Sequence, residues 1–127
     1  MPGGLNRVML LGDLASPPEV YVTRGGGVVL ALRLGTTESY LDKDDIQRER
    51  ISFHPVVVLG RRAEALSKTL RRGARVFVEG SLRTSTDEGR DGKKRTKTEI
   101  VATEVLFAGE RAEAVMEAAL GALGNAS

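Results

Sequence analysis

The chain has 127 residues with a net charge of +2, 41% apolar residues, one histidine and neither cysteine nor tryptophan, which predicts a single small domain and not a two-domain enzyme. The lack of cysteine excludes disulfides, thiol catalysis and cysteine-based zinc sites. A single histidine gives too few nitrogen ligands for a dedicated transition-metal site, and no cofactor is expected. No apolar run approaches the roughly 20 residues of a membrane helix and the N-terminus lacks a signal-peptide pattern, so we expect a cytoplasmic protein.

Hydrophobic periodicity predicts mostly β-strands joined by hairpins. The predicted elements are, in chain order, a strand over 5–14, a hairpin over 19–23 and 28–37, a strand over 51–59, a helix over 61–70, a hairpin over 75–83 and 96–107, and a C-terminal helix over 110–120. The polar stretch 38–50 follows neither period and is predicted to be a mobile loop. Hairpin-joined strands with one inserted helix favour an all-β fold, a five-stranded Greek-key OB-fold barrel, over a βαβ sheet.

Alternation along the strands assigns individual side chains to the core or to the surface. Arg33 alternates with leucines, so it is predicted to point away from the core. Phe77 is predicted to point outward as well, where it suits a contact with another subunit or with a ligand. Leu82 is predicted to point inward, and Phe107 is expected in the core.

Several short motifs occur in a fixed order along the chain. They are Leu5-Asn6-Arg7-Val8, Gly12-Asp13-Leu14, Pro18-Glu19-Val20, Gly26-Gly27, Thr37-Glu38-Ser39, Phe53-His54-Pro55-Val56-Val57, Leu59-Gly60-Arg61, Leu70-Arg71-Arg72-Gly73 and Val78-Glu79-Gly80-Ser81-Leu82-Arg83-Thr84. Together they resemble the motifs of bacterial single-stranded DNA-binding proteins over residues 5–108. The resemblance implies an OB-fold domain over 1–108 that binds single-stranded DNA without strong sequence preference in replication, recombination and repair. It also implies a nucleoid-associated homotetramer, with a dimer as the alternative.

A protein that holds single strands needs cations along the phosphates and flat side chains on which bases stack. The net charge is −1 over residues 1–60, +7 over 61–97 and −4 over 98–127. A basic segment such as 61–97 is typical either of a site for a polyanion or of a solvated surface. The candidate cations are Arg7, Arg33, Arg61, Arg62, Arg71, Arg72, Arg83, Lys93, Lys94, Arg95 and Lys97. Few carboxylates are expected near those of the hairpin over 83–97. Tyr40 and Phe53 lie where the resemblance implies stacking rings, and Tyr21 is an accessory candidate.

The chain departs from the family pattern in three respects. The family's stacking tryptophans are missing, so we predict binding that is more sensitive to salt than is usual for the family. Pro55 replaces the family's usual basic residue and removes a main-chain donor near the expected subunit edge. The segment 109–127 is predicted to be a short helical and flexible tail without the family's acidic tip, so recruitment of replication and repair proteins through such a tip is not expected.

The remaining chemistry-bearing residues support no enzyme. His54 is interpreted as a structural residue at a subunit contact implied by the resemblance, where its protonation would weaken assembly. The aspartates at 42, 44 and 45 are interpreted as a solvated loop in preference to a Mg²⁺ site. An OB-fold protein-interaction module, similar to a primosome component with weak nucleic-acid binding, is the alternative that the scarcity of aromatic residues leaves open.

Overall fold

A computed structural model of the chain describes residues 3–108, 114 and 117–121. Its elements are β1 (Val8–Leu14), β2 (Glu19–Val22), β3 (Val28–Leu41), β4 (Gln47–Leu59), α1 (Arg61–Thr69), β5 (Arg75–Glu88) and β6 (Lys94–Phe107). Residues 114 and 117–121 are helical, as predicted for 110–120, and the other residues of that prediction lie outside the described ones. None of the helices in the described ranges is long and apolar enough to cross a membrane.

Five strands close into a barrel. β1 pairs with β5 and with β3, β5 pairs with β6, β6 with β4 and β4 with β3, so the ring returns to its starting strand. Only the β4–β6 pair is parallel, through Val56 and Val57 opposite Ile100 and Val101. β2 adds a short strand to the edge of β3. The predicted five-stranded OB-fold barrel with one internal helix is therefore confirmed.

The core is made by the alternating apolar residues that the sequence shows. Leu30, Leu32 and Leu34 of β3 are buried, and α1 covers one end of the barrel with Ala63. Leu70 follows α1, is 1% exposed and joins the same cluster. Because inward residues of every strand meet in one small interior, each strand is apolar mainly on one face.

Two ribbons extend beyond the barrel. Residues 36–41 of β3 pair only with 47–52 of β4, and residues 84–88 of β5 pair only with 94–98 of β6. We call these segments the β3–β4 ribbon and the β5–β6 ribbon. Since β4 and β6 run parallel and each begins at the tip of its ribbon, both ribbons project from the same end of the barrel.

The predicted mobile loop over 38–50 is wrong, because most of this stretch forms the β3–β4 ribbon. At its tip, the Asp42 carboxylate accepts hydrogen bonds from the backbone N–H groups of Asp44 and Ile46 at 2.8 and 3.0 Å, and from Arg48 at 3.0 Å. The bond from Ile46, followed by that from Arg48, holds the pKa of Asp42 below its usual range. In a turn, backbone N–H groups lack strand partners, and a carboxylate such as that of Asp42 accepts hydrogen bonds from them. This orders a polar segment whose sequence shows no hydrophobic periodicity.

Three predictions about side-chain exposure in the second hairpin are corrected. Phe77 alternates with the core residues Val76 and Val78, but it is only 1% exposed, because this part of β5 is covered on both faces. Leu82 is 49% exposed, although Val76, Val78 and Gly80, which precede it at alternate positions, are buried. Phe107, at the end of β6, is 51% exposed and not part of the core. A continuous apolar run, as at 76–78, is the sequence signal of a strand buried on both faces.

Candidate nucleic-acid interface

A row of three residues crosses three strands on the outer surface of the barrel. Asp13 of β1 lies opposite Gly35 of β3, and Gly35 lies opposite Phe53 of β4. A Cβ atom added at Gly35 would lie 3.4 Å from Cε1 of Phe53 and 3.6 Å from the backbone oxygen of Asp13. The glycine therefore lets the Phe53 ring lie close to bare backbone, while the ring remains 49% exposed.

Arg33 supplies positive charge next to this ring. Its guanidinium carbon lies 4.3 Å from the centroid of the Phe53 ring, which is a cation–π contact. As predicted, Arg33 is exposed while its neighbours Leu32 and Leu34 are buried. Among the described residues, no carboxylate lies within salt-bridge distance of Arg33. The pair thus combines a flat surface for a base with a cation available to a phosphate.

Two shallow concavities adjoin the Arg33–Phe53 pair. One has a volume of about 180 Å³ and is called here the Phe53 pocket; its lining is Asp13, Leu14, Ala15, Gly35, Thr37, Ile51 and Phe53. The other has a volume of about 360 Å³ and is lined by Ser16, Pro17, Glu19, Ala31, Leu32 and Arg33. We call the outward residues Arg33, Gly35, Thr37, Ile51 and Phe53 the β3–β4 face. This face belongs to the strand pair that OB-folds use for oligonucleotides.

The other predicted stacking residue does not share this face. Tyr40 lies opposite Arg48 and, by alternation along β3, belongs with Leu34 and not with Gly35. Its ring is 41% exposed, and the guanidinium carbon of Arg50 lies 5.1 Å from its centroid. The paired strands β3 and β4 therefore present one aromatic–arginine pair on each of their two faces.

Two predicted cations are placed near the Phe53 pocket by backbone contacts. The N–H of Gly73 donates to the carbonyl of Leu14 at 2.8 Å, and the N–H of Leu14 donates to the carbonyl of Ala74 at 2.9 Å. Arg71 and Arg72, both exposed, directly precede this segment in the chain, and Leu14, to which the segment is hydrogen-bonded, lines the pocket.

Other predicted cations lie away from the β3–β4 face. Arg61 begins α1, and Arg62 donates to the carbonyl of Thr103 on β6 and lies 4.0 Å from Glu104. Arg7 forms an ion pair with Glu79 at 2.5 Å, beside the junction of β1 and β5.

Tyr21, the accessory candidate, is 53% exposed on β2. Its hydroxyl donates to Glu19, and this bond raises the pKa of Tyr21.

The cations of the β5–β6 ribbon are partly neutralised, contrary to the expectation of few nearby carboxylates. Arg83 lies 2.8 Å from Oε1 of Glu99, and Lys97 lies 3.4 Å from Oε2 of the same residue. Arg95 pairs with Asp91 at 3.3 Å. Strand pairing brings together charged residues that are distant in sequence. The sequence alone therefore predicted too few negative charges near these cations. Lys93 and Lys94 have no carboxylate within 4.0 Å in the described part of the chain.

Glu99 is a buried carboxylate, 6% exposed, at the base of this ribbon. The hydrogen bond from Arg83, assisted by Lys97, holds the pKa of Glu99 below its ordinary value against the opposing effect of burial. We expect Glu99→Gln to lower the free energy of unfolding at pH 7 by about 1–2 kcal/mol, because charge-assisted hydrogen bonds are lost.

The effect of Glu99→Gln should depend on pH. A carboxylate whose folded-state pKa is depressed stabilises the protein fully above the unfolded-state pKa, and this contribution disappears as the pH falls through the lower folded-state pKa. Urea unfolding of both proteins from pH 7 down to about pH 3 measures the difference. A difference that stays constant over this range would contradict the assignment.

His54 is half-buried on β4, opposite Leu34, and its Nε2 lies 2.8 Å from Oγ1 of Thr36. The hydrogen bond agrees with a structural role, and its placement at a subunit contact stays a prediction. Within the described residues, no group of three or more His, Cys, Asp or Glu side chains is arranged to hold a metal ion.

Sequence reasoning missed the part of the site that Asp13, Gly35, Thr37 and Ile51 contribute. The available signal was Gly35, which interrupts the leucine–arginine alternation of β3 in the middle of a strand. A glycine there often marks a close approach of a ring, a ligand or another backbone. Its pairing with Phe53 and Asp13 required the register of the barrel.

Comparison with known proteins agrees with this geometry. The model of the single-strand binding protein family matches residues 5–108. The chain belongs to this family. Membership confirms the predicted family and the interpretation of the chain as a DNA-binding protein and not an enzyme.

The family relatives share much of the barrel. The single-stranded DNA-binding protein of Xylella fastidiosa is 37% identical over 113 residues, which cover 89% of this chain and 69% of that protein. That of Xanthomonas axonopodis pv. citri is also 37% identical over 113 residues, or 89% of this chain and 63% of the relative. The chain thus spans about two thirds of the length of these relatives.

Two solved structures of the family have the same fold. The Plasmodium falciparum SSB in complex with ssDNA superposes with a TM-score of 0.78 and 27% identity, covering 86% of this chain and 99% of that one. A deletion mutant of the single-stranded DNA-binding protein of Thermus aquaticus superposes with a TM-score of 0.76 and 33% identity, covering 87% and 54% of the two chains.

Proposed function

We propose that this chain binds single-stranded DNA without sequence specificity, and that it coats and protects such strands in replication, recombination and repair. The observation that carries the proposal is the exposed Phe53 ring with the Arg33 guanidinium 4.3 Å from its centroid, on the face of the barrel that OB-folds use for oligonucleotides. Stacked rings are tolerant of sequence because every base has a flat face.

The proposed contact surface extends from this pair in two directions. On one side it includes Arg71 and Arg72, which precede the segment hydrogen-bonded to Leu14. The two ribbons, which project from the same end of the barrel, continue it with Tyr40 and Lys93 and Lys94. In this proposal residues 1–108 are the binding unit and Tyr21 is an accessory contact. Cations that already form ion pairs contribute less to the affinity for DNA than their number suggests, because their carboxylate partners must be displaced. These cations are Arg7, Arg62, Arg83, Lys97 and Arg95.

The experiment is a fluorescence-anisotropy titration of labelled oligo-dT and of a duplex of the same length, at two salt concentrations. We expect tight binding to oligo-dT, much weaker binding to duplex, and an affinity for oligo-dT that falls steeply with salt because bound phosphates release counterions. Weak binding that is indifferent to strandedness would contradict the proposal and favour a protein-interaction module. An affinity unchanged by salt would contradict the predicted electrostatic character.

We further propose that the protein assembles as a homotetramer in the cytoplasm, associated with the nucleoid. Family membership supports the assembly, and several linked barrels would hold one strand with an avidity that exceeds the affinity of each. His54 remains the proposed subunit contact, whereas the burial of Phe77 within its own chain argues against a contact there. Light scattering that gives the mass of one chain would contradict the tetramer.

A further inference from the structure

The Phe53 pocket has a carboxylate directly across from its aromatic ring. Asp13, Gly35 and Phe53 lie opposite one another on three adjacent strands, so two strand spacings, or about 10 Å, separate the backbones of Asp13 and Phe53. The glycine between them carries no side chain, and the Phe53 ring lies against it. Asp13 and Phe53 line the same pocket, so a planar base that stacks on the exposed part of the ring and extends across Gly35 would bring its edge toward Asp13.

The Asp13 carboxylate is positioned and partly neutralised by a neighbouring strand. Arg75 of β5 lies opposite Asp13, and its Nη1 is 3.5 Å from Oδ2 of Asp13. The Asp13 side chain nevertheless remains 56% exposed, so it keeps lone pairs for a ligand. The ion pair also reduces the repulsion between this carboxylate and the phosphates of a bound strand.

An ionised carboxylate only accepts hydrogen bonds, so it distinguishes bases by their donors. Cytosine offers an exocyclic amino group to such an acceptor, and pairing of this group with Asp or Glu is a recognised contact. Thymine has a carbonyl oxygen in the equivalent place, and its one ring N–H lies between two carbonyl oxygens that repel a carboxylate.

We propose that the Phe53 pocket is a nucleobase subsite that prefers cytosine to thymine, with Phe53 stacking on the base and Asp13 accepting a hydrogen bond from its amino group. The proposal rests on the proposed function, since it assigns one base of a bound single strand to one pocket. It makes Asp13 a specificity-determining residue on an otherwise sequence-tolerant surface.

The test compares oligo-dC with oligo-dT of the same length by anisotropy, for the full chain and for Asp13→Asn. We expect the ratio of the two dissociation constants, oligo-dT over oligo-dC, to fall by about fivefold in the variant, because one discriminating contact is lost and asparagine also donates to thymine. The ratio cancels the general gain in affinity caused by removing a negative charge. Asp44→Asn, an exposed aspartate at the ribbon tip, is the matched control and should leave the ratio unchanged.

A second variant separates the carboxylate from its ion pair. Arg75→Gln keeps Asp13 and should keep the preference for oligo-dC, even though both affinities decrease. Loss of the preference in this variant, or an identical ratio in the wild type and Asp13→Asn, would overturn the cytosine subsite. In either case strong binding to oligo-dT would leave the proposed function standing, whereas failure to bind both oligonucleotides would remove both proposals.

Discussion

Replacing Phe53 by alanine is expected to weaken binding of oligo-dT by roughly fivefold or more. The ring is half-exposed and is the flat surface of the β3–β4 face, and loss of one base–aromatic stack costs about 1–3 kcal/mol. The variant also removes the surface on which Arg33 rests, so the guanidinium becomes less ordered. Anisotropy titrations at one fixed salt concentration measure the change.

Phe107→Ala is the matched control for this substitution. Phe107 is 51% exposed, close to the 49% of Phe53, but it lies at the end of β6, opposite Val76, and away from the proposed contact surface. We expect its affinity to remain within twofold of the wild type. Equal losses in both variants would show that general destabilisation, and not stacking, accounts for the effect of Phe53→Ala.

Gly12→Ala is expected to lower the free energy of unfolding by about 3 kcal/mol or more. Gly12 is buried on β1 where the barrel closes against β3, and an added Cβ would lie 2.1 Å from the carbonyl oxygen of Gly35. The neighbouring atom belongs to the backbone, so relief requires β1 and β3 to separate and weakens the pairing of Asp13 with Gly35. Urea unfolding followed by circular dichroism measures the loss.

Gly25→Ala is the control for Gly12→Ala. A Cβ at Gly25 meets nothing within 4 Å, and Gly25 does not have a positive φ. We expect a change of less than about 0.5 kcal/mol, as is usual for surface positions. If Gly12→Ala proved as stable as Gly25→Ala, the close approach of β1 and β3 at the closure would be wrong.

The sequence predicts the barrel because its local and global signals agree. The alternating leucines of β3, the glycine-rich turn before it and the single helix after β4 each favour the element that forms. The β3–β4 ribbon was missed because its order comes from the side-chain bonds of Asp42 and from pairing with a distant segment. Neither leaves a hydrophobic period in the sequence.

The candidate site could be predicted residue by residue but not as an arrangement. Arg33 and Phe53 are recognisable from alternation and from the family motifs, yet their cation–π contact depends on cross-strand register. The same register pairs Arg83 and Lys97 with Glu99, which a count of charges along the chain treats as unrelated. A register displaced by one residue would reverse the face of every side chain, so the sequence alone left these contacts open.

Local opening of a ribbon does not require the barrel to unfold. Their backbone hydrogen bonds lie outside the closed ring of strands, so either ribbon can open and close while the core beneath it stays intact. Substitutions within 36–52 or 84–98 can therefore accumulate with little effect on whether the chain folds. The ribbons can therefore accept side chains of many kinds, whereas the barrel closure at Gly12 has no room for a Cβ atom.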